Sequence, residues 1–405
     1  MRAYERFMKY IQYETASDER REGSPSTPGQ LVLSRALVEE MLALGIADAR
    51  LDAHGYVYGS IPANAEGLPA IGMIAHVDVS DAAPCGPMHA RIVEHYDGGP
   101  VTLESGDVLD PAVFPDVAGA KGKSLIVTDG RTLLGADDKA GVAEIMTACE
   151  KILADPSLKH GKICISFTPD EEIGRGADLF DVKAFGADFA YTVDGGVPGE
   201  IAFENFNAAS GRVTVHGISV HPGDAKNKMK NANLIAMEFA ALLPPAERPE
   251  HTEGYEGFFH LTGMQTSTEQ ARLSYIIRDH DRERFEQRKR TMLDCVEQMN
   301  LKYGEGTVTA EVNDQYYNMR EKIEPDNMHV VDVVLQAMRL VGVEPRVKPI
   351  RGGTDGAQLS FMGLPCPNIF AGGLNFHGPF EYVPIQSMEK AMRVVVKICE
   401  LVARL

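Results

Sequence analysis

The residues of this 405-residue chain best suited to chemistry fall in five short segments. They are His76 with Asp78, Asp137 with Asp138, Glu171 with Glu172, Asp194, and His377. Imidazoles and carboxylates form the donor set for zinc or a similar divalent ion, and an oxygen-rich site also admits manganese or cobalt. Five ligands are too few for two ions unless one is shared. Two-metal hydrolases solve this with a carboxylate bridging ions roughly 3.5–4 Å apart. Asp137, in the middle of the set, is the natural bridge.

Each piece alone has a plainer reading. Asp137 and Asp138 precede Val142, Ile145, Met146, Cys149, Ile152 and Leu153, whose spacing predicts an amphipathic helix. By themselves the two aspartates would cap its N-terminus. His76 could be a packed core histidine, Glu171-Glu172 a charged strand exit, Asp194-Gly195-Gly196 a turn, and His377 a loop residue. The elements that carry them argue otherwise. Residues 70–78 are an apolar run ending in polar residues, the pattern of a strand buried on both faces. The same design recurs at 162–172, at 187–195 and at 367–372, with His377 just beyond. In an open α/β sheet, ligands bind outside the carboxyl ends of the strands. Four strands therefore bring their reactive residues to one edge.

The remaining elements frame that sheet. Residues 2–13 predict a short amphipathic helix. Thr27-Pro28-Gly29-Gln30 predicts a capping box that opens a helix running to Leu44 and stopped by Gly45. Short strands follow near 50–51 and 56–61. Residues 84–125 are poorly periodic and rich in Gly, Pro and Asp, and read as a long loop or β-ribbon. Between 208 and 318 the order is strand (211–217), helix (229–243), strands (255–262 and 271–278), charged helix (281–302) and strand (307–312). That is the order of a ferredoxin-like sandwich. The expected architecture is α/β: a discontinuous catalytic domain at 1–207 and 319–405 with a mixed, mostly parallel sheet covered by helices. An α+β lid or dimerisation-type domain at 208–318 is inserted in it.

Forty basic against 58 acidic residues give a net charge of −18, which disfavours nucleic acid or an anionic membrane as partner. No apolar run reaches the length of a membrane-spanning helix. The start, Met1-Arg2-Ala3-Tyr4-Glu5-Arg6, lacks the apolar run of a secretion signal. The six cysteines are scattered with no Cys-x-x-Cys, which suits buried thiols in a reducing compartment. A cytoplasmic protein is expected.

Longer motifs run through nearly the whole chain. They include 74–78 (IAHVD), 135–141 (GADDKAG), 167–172 (FTPDEE), 191–196 (YTVDGG), 204–209 (ENFNAA), 219–223 (SVHPG), 316–320 (YYNMR) and 351–356 (RGGTDG). In these the chain resembles metallopeptidases of the M20 family, and among them its tripeptide aminopeptidases. The resemblance implies two zinc ions per subunit, one on His76 and Asp194, the other on Glu172 and His377, with Asp137 bridging. It implies Glu171 as general base and proton shuttle, and a cis peptide between Asp137 and Asp138. Asp78, two residues beyond His76 and on the same side of the strand, would orient that imidazole. Strand alternation independently divides Glu171 and Glu172 into one base and one ligand.

From the inserted domain, the resemblance implies that His221 helps stabilise the oxyanion, through the partner subunit's site in a homodimer. Asn231 is a candidate for touching substrate. Arg278 and Arg351 are candidates for gripping the peptide carboxylate, a group that a planar guanidinium binds in bidentate fashion. After the last histidine, Pro379 and Phe380 depart from the family's more polar loop and are expected to affect substrate preference. Competing readings are another M20-type activity (dipeptidase, carboxypeptidase or amide deacylase) and a non-catalytic binding protein on the same fold.

Overall fold

The Ile71–His76 strand is buried along its whole length, and its two faces feed two different cores. Ile71, Met73 and Ala75 pack into the larger one with Ile163, Ile165, Phe167, Tyr191 and Val193 from neighbouring strands. Ile74 joins Tyr56, Tyr58, Phe180 and Phe185 in the other. Side chains alternate across a strand, so a strand covered on both faces must be apolar at every position. That is the cause of the unbroken runs in the sequence.

The computed structural model describes residues 1–86 and 88–403. The chain divides into two compact units. The first comprises residues 1–203, 321–348 and those from Thr354 onward; the second comprises 204–320 with 349–353. The inserted segment is thus a few residues longer at both ends than the sequence suggested. The short 349–353 piece, expected in the catalytic domain, belongs to the second unit. Its backbone explains why: the Ile350 N–H donates to the Glu204 carbonyl at 2.8 Å, and Asn205 and Ile350 form a parallel bridge.

In the first unit an eight-stranded sheet has the order Arg50–Leu51, Val57–Ile61, Ile163–Thr168, Ile71–His76, Phe189–Gly195, Asn368–Phe370, Glu200–Ala202, Arg346–Val347. The four strands from Ile163–Thr168 through Asn368–Phe370 are adjacent and mutually parallel. Their carboxyl ends therefore share one edge, as the sequence suggested. Helices Ala3–Tyr10, Ala136–Ala154, Met328–Val341 and Ile385–Val402 pack together in the larger core. Gly141 lets the Ala136–Ala154 helix approach the sheet, because a Cβ there would collide with the Val193 carbonyl and the Asp138 carboxylate.

Two local expectations change. The Pro28–Leu44 helix ends at a left-handed Gly45 as expected, but Thr27 makes no side-chain cap. Its hydroxyl donates to the Ala16 carbonyl, and Gln30 turns to the buried Asp170. The strand expected to run through Glu172 stops at Thr168. Asp170 is left-handed (φ 60°), and Glu171–Ile173 is a single 3-10 turn. The alternation argument for Glu171 and Glu172 therefore has no strand to act on.

Residues 84–125 contain a ribbon. Arg91–Val93 and Leu125–Val127 pair antiparallel, and Tyr382–Pro384 adds a third strand. A small apolar cluster, including Tyr96, Leu103, Val117 and Tyr382, lies beneath it. Phe380 packs on Phe114 with ring centroids 4.9 Å apart, so it serves this cluster.

The second unit is a four-stranded antiparallel sheet with the order Phe258–Thr266, Gln270–Asp279, Asn207–His216, Val308–Tyr316. Helices Ala232–Leu242 and Arg282–Tyr303 pack on it through Ile235, Phe239, Phe285 and Met292. This is the ferredoxin-like order. No helix of the described residues is long and apolar enough to cross a membrane. All six cysteines are free, five of them buried.

Candidate metal centre

At the shared strand edge, His76 ends its strand and Asp194 lies near the end of the Phe189–Gly195 strand. The His76 Nδ1 lies 3.0 Å from the Asp78 carbonyl oxygen. Donation there leaves Nε2 facing outward, 3.0 Å from Asp137 Oδ1 and 3.5 Å from Asp194 Oδ1. On the other side, His377 Nε2 lies 3.1 Å from Asp137 Oδ2 and 2.9 Å from Glu172 Oε2. The two oxygens of Asp137 thus reach two different histidines. His76, Asp137 and Asp194 form one group with ligand atoms within 4.8 Å of one another, and Asp137, Glu172 and His377 form a second.

The donor set fits divalent ions. A second observation agrees: Glu172 Oε1 is buried, with no hydrogen-bond partner among the described residues. A buried carboxylate oxygen without a partner is costly unless something else satisfies it. His377 is about half exposed (48%), which opens the group to solvent on that side.

Charges in this cluster perturb one another strongly. Burial alone would lower the His76 imidazole, but Asp194, Asp137 and Asp78 raise it well above its ordinary range. Hydrogen bonds donated to the Asp137 and Glu172 carboxylates push His377 up to about 10. Burial would raise Asp137, yet His377 and His76 hold it far below the usual carboxylate range. Asp194 is pushed up to about 7 by burial and by Asp137. Burial raises Glu171 well above its ordinary value, helped by Asp194 and Asp355.

Several residues position these groups. The fully buried Asp78 carboxylate accepts the backbone N–H of Glu171 at 3.0 Å and of Glu172 at 3.1 Å, and lies 3.3 Å from His76 Nδ1. Asp78 thus holds both the imidazole and the turn that carries the two glutamates. Asp138 accepts the N–H groups of His76 and Gly141, each at 3.2 Å, which secures the start of the helix. The peptide joining Asp137 to Asp138 is cis.

Three supporting residues were not singled out from the sequence. Asp170 accepts the Ser26 N–H at 2.7 Å, the Ser26 hydroxyl at 2.6 Å and the Gln30 amide at 2.7 Å, which pins the Glu171–Ile173 turn. Asp355 is buried, accepts the Thr168 hydroxyl at 2.8 Å, and is pushed up to about 7 by burial. Glu381 accepts four consecutive backbone N–H groups, from Leu134 to Asp137. Asp170, inside the 167–172 motif, and Asp355, inside the 351–356 motif, each carried a sequence signal, whereas Glu381 carried none.

The candidates for substrate contact all lie in the second unit. His221 sits in an exposed turn and accepts the Gly223 N–H through Nδ1 at 3.1 Å. Asn231 caps the Ala232–Leu242 helix through its side-chain oxygen. Arg278 reaches the Ala209 and Ile277 carbonyls and Gln315. Arg351 donates to the carbonyls of Thr252, Gly254 and Glu256 and to the Thr252 hydroxyl, and so clamps that loop.

Known proteins share these features. Residues 203–304 match the family described as a peptidase dimerisation domain of the M20 peptidases. Peptidase T of Clostridium acetobutylicum is 55% identical over 402 residues, 98% of each chain. Peptidase T of Parabacteroides distasonis is 54% identical over 407 residues, with both chains fully covered. The solved aminopeptidase PepT of Bacillus cereus superimposes with a TM-score of 0.79 at 24% identity, over 99% of this chain and 98% of that one. A dinuclear metal-binding peptidase of the M20 family from Bacillus subtilis gives 0.67 at 13% identity, over 99% and 98%. By architecture, then, this is an M20-class peptidase fold. Within that class, full-length identity above one half decides the branch: the chain belongs to the peptidase T family.

Proposed function

We propose that this chain is a metal-dependent aminopeptidase that cleaves the N-terminal residue from tripeptides. Its relatives of 54–55% identity carry the name peptidase T along their whole length. The observation that most supports the chemistry is the shared carboxylate, since Asp137 Oδ1 and Oδ2 each reach a different histidine.

In this reading two zinc ions would be held by His76, Asp137 and Asp194 and by Asp137, Glu172 and His377. When bound, such ions acidify the attacking water and polarise the scissile carbonyl. The protein supplies the proton path. Glu171, a carboxyl outside both groups, takes the proton from water and returns it to the departing amine. Burial and acidic neighbours raise its proton affinity, which suits a group that must hold that proton between the two transfers. Asp78 fixes the Glu171 backbone and the His76 ring together. The second unit would contribute His221 to the oxyanion, and Asn231, Arg278 and Arg351 to binding. Arg278 and Arg351 would have to act with the donors left over from their carbonyl contacts.

A homodimer through the second unit is supported by its match to a dimerisation domain and by exposed Leu234 (61%) and Met237 (59%) on the Ala232–Leu242 helix. A reducing, cytoplasmic setting suits six free thiols. The test is hydrolysis of one sequence offered as di-, tri- and tetrapeptide, with products identified by mass. Release of the first residue from the tripeptide alone is expected; equal rates on all three would reject tripeptide specificity.

A further inference from the structure

We propose that Glu381 is a positioning residue that sets the orientation of the shared carboxylate of Asp137 by gripping its backbone. The inference rests on the reading of Asp137 as the ligand common to both groups. Glu381 is 2% exposed. Its Oε2 accepts the N–H of Leu134 at 2.7 Å and of Gly135 at 2.9 Å, and its Oε1 accepts those of Ala136 at 2.6 Å and Asp137 at 3.2 Å. Gly135 makes this geometry possible. Its left-handed backbone (φ 78°) turns successive N–H groups toward one side, forming an anion-binding concavity.

The match of charge and number is specific. An ionised carboxylate only accepts, and offers about four lone-pair sites. A neutral acid or an amide would point a donor at two of the four N–H groups. Glu381 also follows His377 by four residues, and its own N–H closes a turn onto the Gly378 carbonyl at 3.2 Å. One buried side chain therefore ties the loop that carries His377 to the loop that carries Asp137. Because Asp137 Oδ1 faces His76 and Oδ2 faces His377, rotation of the 134–137 backbone would disturb both groups at once.

The near-isosteric Glu381→Gln should thus be almost as damaging as Glu381→Ala, although it keeps the volume. Calorimetric titration with zinc should show affinity reduced by about tenfold to a hundredfold, the range for groups that orient metal ligands. The absorption spectrum of the cobalt-loaded protein should shift, and kcat on a tripeptide should fall more than KM changes. Glu381→Asp keeps the charge on a shorter arm and should recover part of the affinity. It carries the test if Glu381→Gln does not fold, and wild-type zinc affinity in Glu381→Asp would then overturn the proposal. In a folded Glu381→Gln, wild-type affinity with an unchanged cobalt spectrum would overturn it even if thermal stability fell. Asp137→Asn separates the two levels. If it loses zinc while Glu381→Gln does not, only the positioning role fails. If neither loses zinc, the shared-ligand reading fails with it.

Discussion

Replacing Asp78 tests whether one buried carboxylate holds the base and a ligand together. In Asp78→Ala, the Glu171 and Glu172 N–H groups lose their acceptor, and His76 Nδ1 loses a carboxylate 3.3 Å away. The backbone carbonyl of residue 78 still accepts from Nδ1, so the imidazole keeps its tautomer. The main casualty is the Glu171–Ile173 turn. A hydrogen bond to a charged group contributes about 1.5–3 kcal/mol, so losing two should destabilise the fold by about 3–6 kcal/mol. Asp78→Asn keeps one accepting oxygen and should cost about half as much. A misplacement of about 1 Å at the reacting groups can cost on the order of 10²-fold in rate. Urea unfolding of the metal-free variants gives the first figure, and kcat on a tripeptide at saturating zinc gives the second. Wild-type stability and kcat together would show that other contacts hold the turn. Weakened zinc binding with full kcat at saturation would show that Asp78 acts through His76 alone.

Glu171→Gln should retain both ions and lose kcat by about 10²–10⁴-fold, the usual contribution of a general base; an undiminished rate would remove Glu171 from the proton path. Metal uptake should release about two to three protons at pH 7, because ligation requires neutral imidazoles and ionised carboxylates. In the metal-free chain acidic neighbours raise both His76 and His377, while burial and Asp137 push Asp194 up to about 7. Affinity should therefore rise with pH, and calorimetry in buffers of different ionisation enthalpy measures the proton count. Glu144 is buried in the Ala136–Ala154 helix with neither carboxylate oxygen hydrogen-bonded among the described residues, and burial, then Glu389, raises it well above 4.5. The folded protein keeps that proton after the unfolded chain has lost it. Stability should then fall by about 1.4 kcal/mol per pH unit above the unfolded pKa until the folded group ionises. Glu144→Gln should raise the melting temperature more at pH 8 than at pH 5, and an equal effect at both would contradict a protonated Glu144.

The shared strand edge could be read from sequence because a strand buried on both faces leaves an unmistakable apolar run, and His76 and Asp194 lie where such runs end. Asp137 could be read because a helix pattern begins immediately after it. The partners of the supporting carboxylates could not. Glu381 acts on backbone N–H groups some 245 residues away, and nothing in its neighbours announces that pairing. Gln30 at the third position of a helix imitates a capping box, but a buried Asp170 is a stronger partner than an exposed backbone N–H. The strand exit at Thr168 leaves no local signal, because the residues beyond it, Pro169 and Asp170, form a turn whose left-handed geometry depends on contacts from residues 26–30. Local pattern pointed to the candidate residues that the fold brings together, while long-range hydrogen bonds fix how they are aimed.

The central claim is that two ions share Asp137. The most direct measurement is zinc content after gel filtration, by plasma mass spectrometry, for the wild-type chain and for Asp137→Asn. The shared-ligand account predicts two zinc ions per wild-type chain, with Asp137→Asn losing both from tight binding along with tripeptide hydrolysis. Two tightly held ions in Asp137→Asn, or a single ion in a fully active wild-type chain, would contradict it.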